Sequence, residues 1–258
     1  MSRQQRRQLD NDFIVFYTNA NYFSNKVTEL SVLASVKKFK IMCVTETHFN
    51  DEIKDAEISI PNYIVHREDR SRDTNGGGSA IYTHNSLSVE KLDWFKGSES
   101  IAIKVNLDST ELYIVCLYRS TSLVTLEENE KLLYQIANIP TSPDINLVVI
   151  GDLNLPDIDW ELGIVKKPVN STDRRYILQS EYLDLFLAKG LKWHITDEVT
   201  RMRKVNNTIQ KSTLDQPWND PNKMAPNPIV LNKMAYFSIV FYHTAGNFFW
   251  NSLFIVKL

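Results

Sequence analysis

The stretch that most restricts what this chain can fold into is Asn146 to Trp160, NLVVIGDLNLPDIDW. Leu147, Val148, Val149 and Ile150 form a short apolar run, mostly β-branched, bracketed by Asn146 and Gly151. Such a run is too short for a buried helix and fits a strand covered on both faces. Asp152 and Asn154 follow at its C-terminal end. Spaced by two, their side chains fall on the same side of an extended backbone. A carboxylate and an amide placed there suit a water and a phosphate oxygen, and Pro156 stops the ladder beyond them.

Other strands deliver polar groups in the same way. Phe13 to Tyr17 reads as a strand ending in Thr18-Asn19-Ala20-Asn21. A helix predicted from a Ser24 cap to about Lys38 would bury Val27, Leu30, Leu33 and Ala34. Ile41 to Val44 is the next strand, with Thr45-Glu46-Thr47-His48 at its end, so that β–α–β order predicts a crossover unit. Residues 49–75 read as irregular. Gly76-Gly77-Gly78 lacks both a following helix and a closing Lys-Ser/Thr, and so reads as an entry into a strand where backbone passes closely, rather than as a phosphate loop. Ile101–Leu107 and Leu112–Tyr118 form a hairpin about Asp108-Ser109-Thr110. Thr125 with Glu128 makes a capping box for a helix to about Asn138, burying Leu132, Leu133 and Ile136. A further helix spans about Thr172 to Lys189, with Ile177, Leu178, Tyr182, Leu185 and Phe186 inward and Gly190 as its stop. Ile209 to Leu214 is a weaker strand ending at Asp215. The class is α/β, with two sheets packed together and helices outside.

The 258 residues permit one large domain or two small ones, and the absence of a linker or repeat favours one. A net charge of −2 gives no case for broad electrostatic binding of nucleic acid, although one local groove remains open. Cys43 and Cys116 lie inside apolar runs and read as buried free thiols of a reducing compartment. No signal peptide is visible, which predicts an intracellular protein, not a secreted one.

Taken singly, Asn19 fits a turn, Glu46 a solvated acid, Tyr118 a core-edge aromatic and Asp152-Leu153-Asn154 an Asx turn. Taken together at strand ends they fit metal-assisted phosphoester hydrolysis. Glu46 suits a hard cation such as Mg²⁺. Asp152 can orient or deprotonate water, Asn154 can hold it, and Tyr118 can donate to phosphate. Lys26 and Arg119 are candidates to neutralise phosphate, or are solvated surface cations.

These residues resemble the endonuclease/exonuclease/phosphatase superfamily, and within it the apurinic-type endonuclease domain of non-LTR retrotransposons. The resemblance rests on Tyr17-Thr18-Asn19-Ala20 with Asn25-Lys26, Val44-Thr45-Glu46-Thr47, Gly76-Gly77-Gly78 before Ala80-Ile81-Tyr82, Tyr118-Arg119, Gly151 to Trp160, Thr200-Arg201 and Leu214-Asp215. It implies a four-layer α/β sandwich of two mixed β-sheets, and Mg²⁺- or Mn²⁺-dependent nicking of DNA, nuclear in setting. It implies Glu46 as metal ligand with Asn19 beside it, Asp152 and Asn154 as catalytic, Tyr118 at the phosphate, and Asp215 supporting a histidine. The domain is expected over 12–231, after a basic tail at 1–11 and before a divergent hydrophobic tail at 232–258. A monomer without a dedicated protein partner is expected.

The chain also departs from the pattern. His48 stands where the family has Trp, Gln216-Pro217-Trp218 replaces an apolar strand, and the closing Ser-Asp-His is missing. His243 lies near the expected place, without an Asp before it. Met234 to Val256 has no charged residue, but Ser238, His243, Thr244, Asn247, Asn251 and Ser252 interrupt it, so it reads as a packed tail rather than a membrane span.

Overall fold

Two sheets lie face to face because three sets of alternating apolar residues each need a cover. In this computed structural model the residues described are 13–70, 76–107, 110–120, 125–142, 145–160, 162–166, 168, 172–191, 201–205, 208–213, 216–217 and 254–257. The first sheet contains Ile14–Asn19 (β1), Ile41–Thr45 (β2), Tyr63–Glu68 (β3), Ser79–His84 (β4) and Phe254–Lys257 (β9). Its order is β9-β1-β2-β4-β3. The second contains Ser88–Leu92 (β5), Ile101–Leu107 (β6), Thr110–Tyr118 (β7) and Asn146–Asp152 (β8), in that order.

Alternation along each strand divides the core into three layers. Val15, Tyr17, Ile41, Cys43 and Ile81 of the first sheet meet Ile103, Val105, Ile114, Cys116, Val148 and Ile150 of the second. Phe16, Met42, Val44, Ala80 and Tyr82 point the other way, onto Val27–Lys37 (α1), which buries Val27, Leu30 and Ala34. On the far side, Ala102, Val115, Leu117, Leu147 and Val149 are covered by Leu126–Ala137 (α2) and Arg174–Ala188 (α3). The order helix, sheet, sheet, helices is the four-layer α/β sandwich expected. Each fully buried aliphatic side chain contributes on the order of 1.5–3 kcal/mol.

Two β–α–β units of the same kind build the frame. β1 and β2 pair in parallel through α1, and β7 and β8 pair in parallel through α2. Parallel pairs need such crossovers, and both bring their strand C-termini to the same end of the sandwich. The capping box on α2 is present: Glu128 N–H donates to Thr125 Oγ1 at 3.2 Å, and Thr125 N–H to Glu128 Oε2 at 2.7 Å.

Three local expectations are corrected. Ser24 does not cap α1; Ser24–Lys26 is a 3-10 turn and the Ser24 hydroxyl is buried without a partner. The span 49–75 is not wholly irregular, since β3 lies in it as a half-buried edge strand with weak alternation. The inward face of α3 is turned by about one residue: Tyr176, Gln179, Tyr182, Leu183 and Phe186 are buried, while Ile177 is exposed. The strand expected near Ile209 is found as Thr208–Thr213, paired with Arg201–Val205. Phe254–Lys257 of the C-terminal tail adds antiparallel to β1. No helix among the described residues is long and apolar enough to cross a membrane.

Candidate active site

At one end of the sandwich the buried residues stop being apolar. Thr18, Asn19, Thr45, Glu46, Thr47, Ser79, Ser100, Asp152 and Asn154 are all buried there. Buried polar groups need partners, so this end is a hydrogen-bonded network by necessity. Its central bond joins the two sheets: Asn19 Nδ2 donates to Asp152 Oδ2 at 2.8 Å. Asn154 N–H donates to Asp152 Oδ1 at 3.0 Å. Both carboxylate oxygens are thereby held in place.

Gly151 makes this approach possible. A Cβ there would lie 1.9 Å from the Leu117 carbonyl oxygen, so only glycine lets β8 pass β7 at that point. Asn154 then turns at φ 51°, and its Nδ2 donates to the Arg119 carbonyl at 2.7 Å. Glu46 sits on the first sheet's loop with φ 53° and is 8% exposed. Left-handed backbone is costly for side chains of this kind and concentrates at functional sites.

Tyr118 stands between the sheets' contributions. Burial, then the carboxylates of Glu46, Asp152 and Glu99, push its phenol far above the ordinary tyrosine range, against the pull of Arg70. Arg70 donates to its hydroxyl. Tyr118 therefore keeps its phenolic proton at neutral pH.

Arg70 and Glu99 were not singled out from the sequence. Arg70 Nε meets Glu99 Oε1 at 2.8 Å and Nη2 meets Oε2 at 3.0 Å, both largely buried. Glu99 also accepts from Gly78 N–H at 3.0 Å. A Cβ on Gly77 would fall 2.0 Å from Glu99 Oε2 and 2.4 Å from Arg70 Nη2. The three glycines are thus a close backbone passage, as expected, and they strap the Glu46 loop: Thr47 N–H and His48 N–H donate to the Gly78 and Gly77 carbonyls. The signal for the pair would have been a lone Arg and a lone Glu flanking strands, which no spacing rule picks out.

The two candidate cations are placed differently from the other site residues. Lys26 Nζ donates to the carbonyls of Ala20 and Asn21, and burial lowers its pKa against the pull of Glu29 and Glu46. Arg119 Nε donates to Asn129 Oδ1 at 2.7 Å, Nη1 donates to the Leu153 and Asn154 carbonyls, and the guanidinium lies 5.9 Å from the Tyr182 ring centre. Both hold loops of the site in place. A cavity of about 170 Å³ beside Tyr118 and Arg119 is lined also by Glu68, Asp69 and Glu99. Asp215 and His243 lie outside the described residues.

One family model, the Endonuclease/Exonuclease/phosphatase family, matches residues 8–206. The chain belongs to this family. Among solved structures it is similar to the endonuclease domain of TRAS1, a telomere-specific non-LTR retrotransposon, at 16% identity and TM-score 0.51, covering 74% of this chain and 78% of that one. It is also similar to the AP endonuclease LMAP from Leishmania major, at 12% identity and TM-score 0.50, covering 73% and 70%. At these identities the likeness establishes the fold. None of the curated proteins matches the chain in sequence.

A divalent ion is the usual helper in this family, and the donors here suit one. Glu46, Asn19 and Asp152 offer oxygen only, the preference of Mg²⁺, which takes one or two carboxylates and keeps its waters. Among the described residues no group of three or more His, Cys, Asp or Glu converges into a closed cage, which would suit Zn²⁺ instead.

Proposed function

We propose that this chain is a metal-dependent phosphodiester hydrolase that nicks DNA, of the kind found in non-LTR retrotransposons. The observation that carries the reading is the 2.8 Å bond from Asn19 to Asp152, which ties the two crossover units into one polar site. Glu46, with Asn19 beside it, would hold Mg²⁺ or Mn²⁺, which when bound polarises a phosphoryl oxygen and offsets charge built up in attack. Asp152 orients the attacking water and takes its proton, in a geometry fixed by Asn19 and by the Asn154 amide. Tyr118 donates to a phosphate oxygen, because Arg70 occupies its acceptor side. Asn154 offers its remaining amide capacity to the same phosphate. Arg119 and Lys26 act by bracing the loops that carry Asn154 and Asn19. By the family resemblance, Asp215 would be the acid that supports a catalytic histidine.

Nicking of supercoiled plasmid in Mg²⁺ tests the reading. Asp152→Ala should lower the rate about 10³-fold, the scale of a lost proton acceptor. Equal nicking by both proteins would refute the role of Asp152.

The missing Ser-Asp-His run favours a second reading, a catalytically silent binding module of the same fold. Under it the unmodified chain binds DNA without nicking, and restoring that run switches nicking on. A panel of phosphorylated lipids and small phosphomonoesters separates both readings from a small-molecule phosphoesterase.

A further inference from the structure

Beside Glu46 two aromatic rings sit on left-handed backbone, a region that tyrosine rarely adopts and histidine adopts more readily. Tyr22 has φ 77° and is 49% exposed; His48 has φ 57° and is half-buried. Their rings meet edge to face with centroids 5.4 Å apart. Left-handed backbone costs a non-glycine residue on the order of 1–2 kcal/mol, and such outliers mark functional positions. Turn geometry alone does not require rings here, since glycine would satisfy both positions at no steric cost.

The ledge is rigid and fixed relative to the site. Tyr22 N–H donates to the Glu46 carbonyl at 3.0 Å, and Phe23 N–H to the Thr47 carbonyl at 3.0 Å. His48 N–H donates to the Gly77 carbonyl at 2.8 Å. The next residue of each loop points inward: Phe23 and Phe49 are buried and pack at 5.8 Å, stapling the two loops from below. Two outward rings above two inward rings form a platform that needs little ordering when a flat partner arrives.

We infer that Tyr22 and His48 form a stacking platform for an unpaired nucleobase next to the scissile phosphodiester. The inference rests on the DNA-nicking reading of the same site and adds to it a preference for DNA with an unstacked base. Aromatic faces bind nucleobases by stacking, with little regard to base identity. Tyr22 lies one backbone hydrogen bond from Glu46, so a base on it belongs to the nucleotide at, or beside, the phosphate being cleaved.

The test uses fluorescein-labelled duplexes carrying 2-aminopurine, either bulged or fully paired, with Ca²⁺ in place of Mg²⁺ so that strands stay intact. Anisotropy reads DNA binding and 2-aminopurine emission reads stacking. The full chain should bind both duplexes and quench the bulged base only. Tyr22→Ala and His48→Ala should weaken binding of the bulged duplex about tenfold, with the paired duplex changed less than twofold. Tyr22→Phe and His48→Trp should keep the quench. Tyr22→Gly separates a binding role from a structural one: relief of left-handed strain should raise the unfolding midpoint while the quench is lost. Binding of both duplexes without quench, or a quench unchanged in Tyr22→Ala, overturns the platform and leaves the nuclease reading standing. Failure to bind either duplex overturns DNA as the substrate, and the platform with it.

Discussion

The two ends of the sandwich are built from the same strands but use left-handed backbone differently. At the end where β1, β2, β7 and β8 finish, Asn21, Tyr22, Glu46, His48 and Asn154 all have positive φ. At the opposite end the described positions of this kind are Lys38 and Asn62. Lys38 closes α1 as its C-cap, donating to the Ala34 carbonyl, and Asn62 sits in the turn before β3. Those two do turn chemistry that glycine would do as well or better. The five at the site end carry the polar and aromatic groups that line it. Strain at one end terminates elements; at the other it aims side chains, and the interlocked network around Asp152 over-determines it.

Substitutions at the two ends should therefore separate. The largest effect is expected at Gly151→Ala, where the new Cβ meets the Leu117 carbonyl at 1.9 Å. Neither strand can yield without breaking the ladder that places Asp152, so unfolding in urea should show a loss of about 4 kcal/mol. A midpoint equal to that of the unmodified protein would mean that β7 and β8 do not approach as described. At the far end, Tyr63 donates to the Phe39 carbonyl at 2.6 Å, and burial pushes its phenol up to about 12. Between pH 10 and about 12 an unfolded tyrosine has lost its proton while folded Tyr63 keeps it, so stability falls as pH rises through that window. Tyr63→Phe should cost about 1 kcal/mol at neutral pH and flatten that fall, with nicking unchanged. An unaltered slope would assign the alkaline loss to other buried tyrosines. The smallest effect, and one of opposite sign, is expected for Lys38→Gly: a gain of about 0.5–1 kcal/mol by thermal unfolding, without functional change. Asn154→Gly relieves similar strain but removes the amide on the Arg119 carbonyl, and should lose nicking. If both glycine variants kept full nicking, the contrast between the ends would collapse.

What the sequence reveals follows from how each residue earns its place. Leu147 to Ile150 reads as a strand because both its faces are buried, and an uninterrupted β-branched run has no other home. Glu46, Asn19 and Asp152 are legible because each follows the end of such a run with one residue between. β3 and β5 are not, because edge strands half in water show little alternation; Ser88–Leu92 is mostly exposed. The face of α3 is misread since Ile177 looks apolar, but the partly polar Tyr176 and Gln179 fill the inward position, with Gln179 bonded to Asp157. Arg70 with Glu99, 29 residues apart, and Tyr22 with His48 are pairs made only by the third dimension.

The bond between Asn19 and Asp152 spans 133 residues of sequence. Contacts of such separation form late, after loop-closure entropy has been met by local structure. Neither crossover unit alone contains both partners, so a growing or truncated chain carries half a site. Whatever chemistry needs both partners would then arrive in one step, when the halves dock.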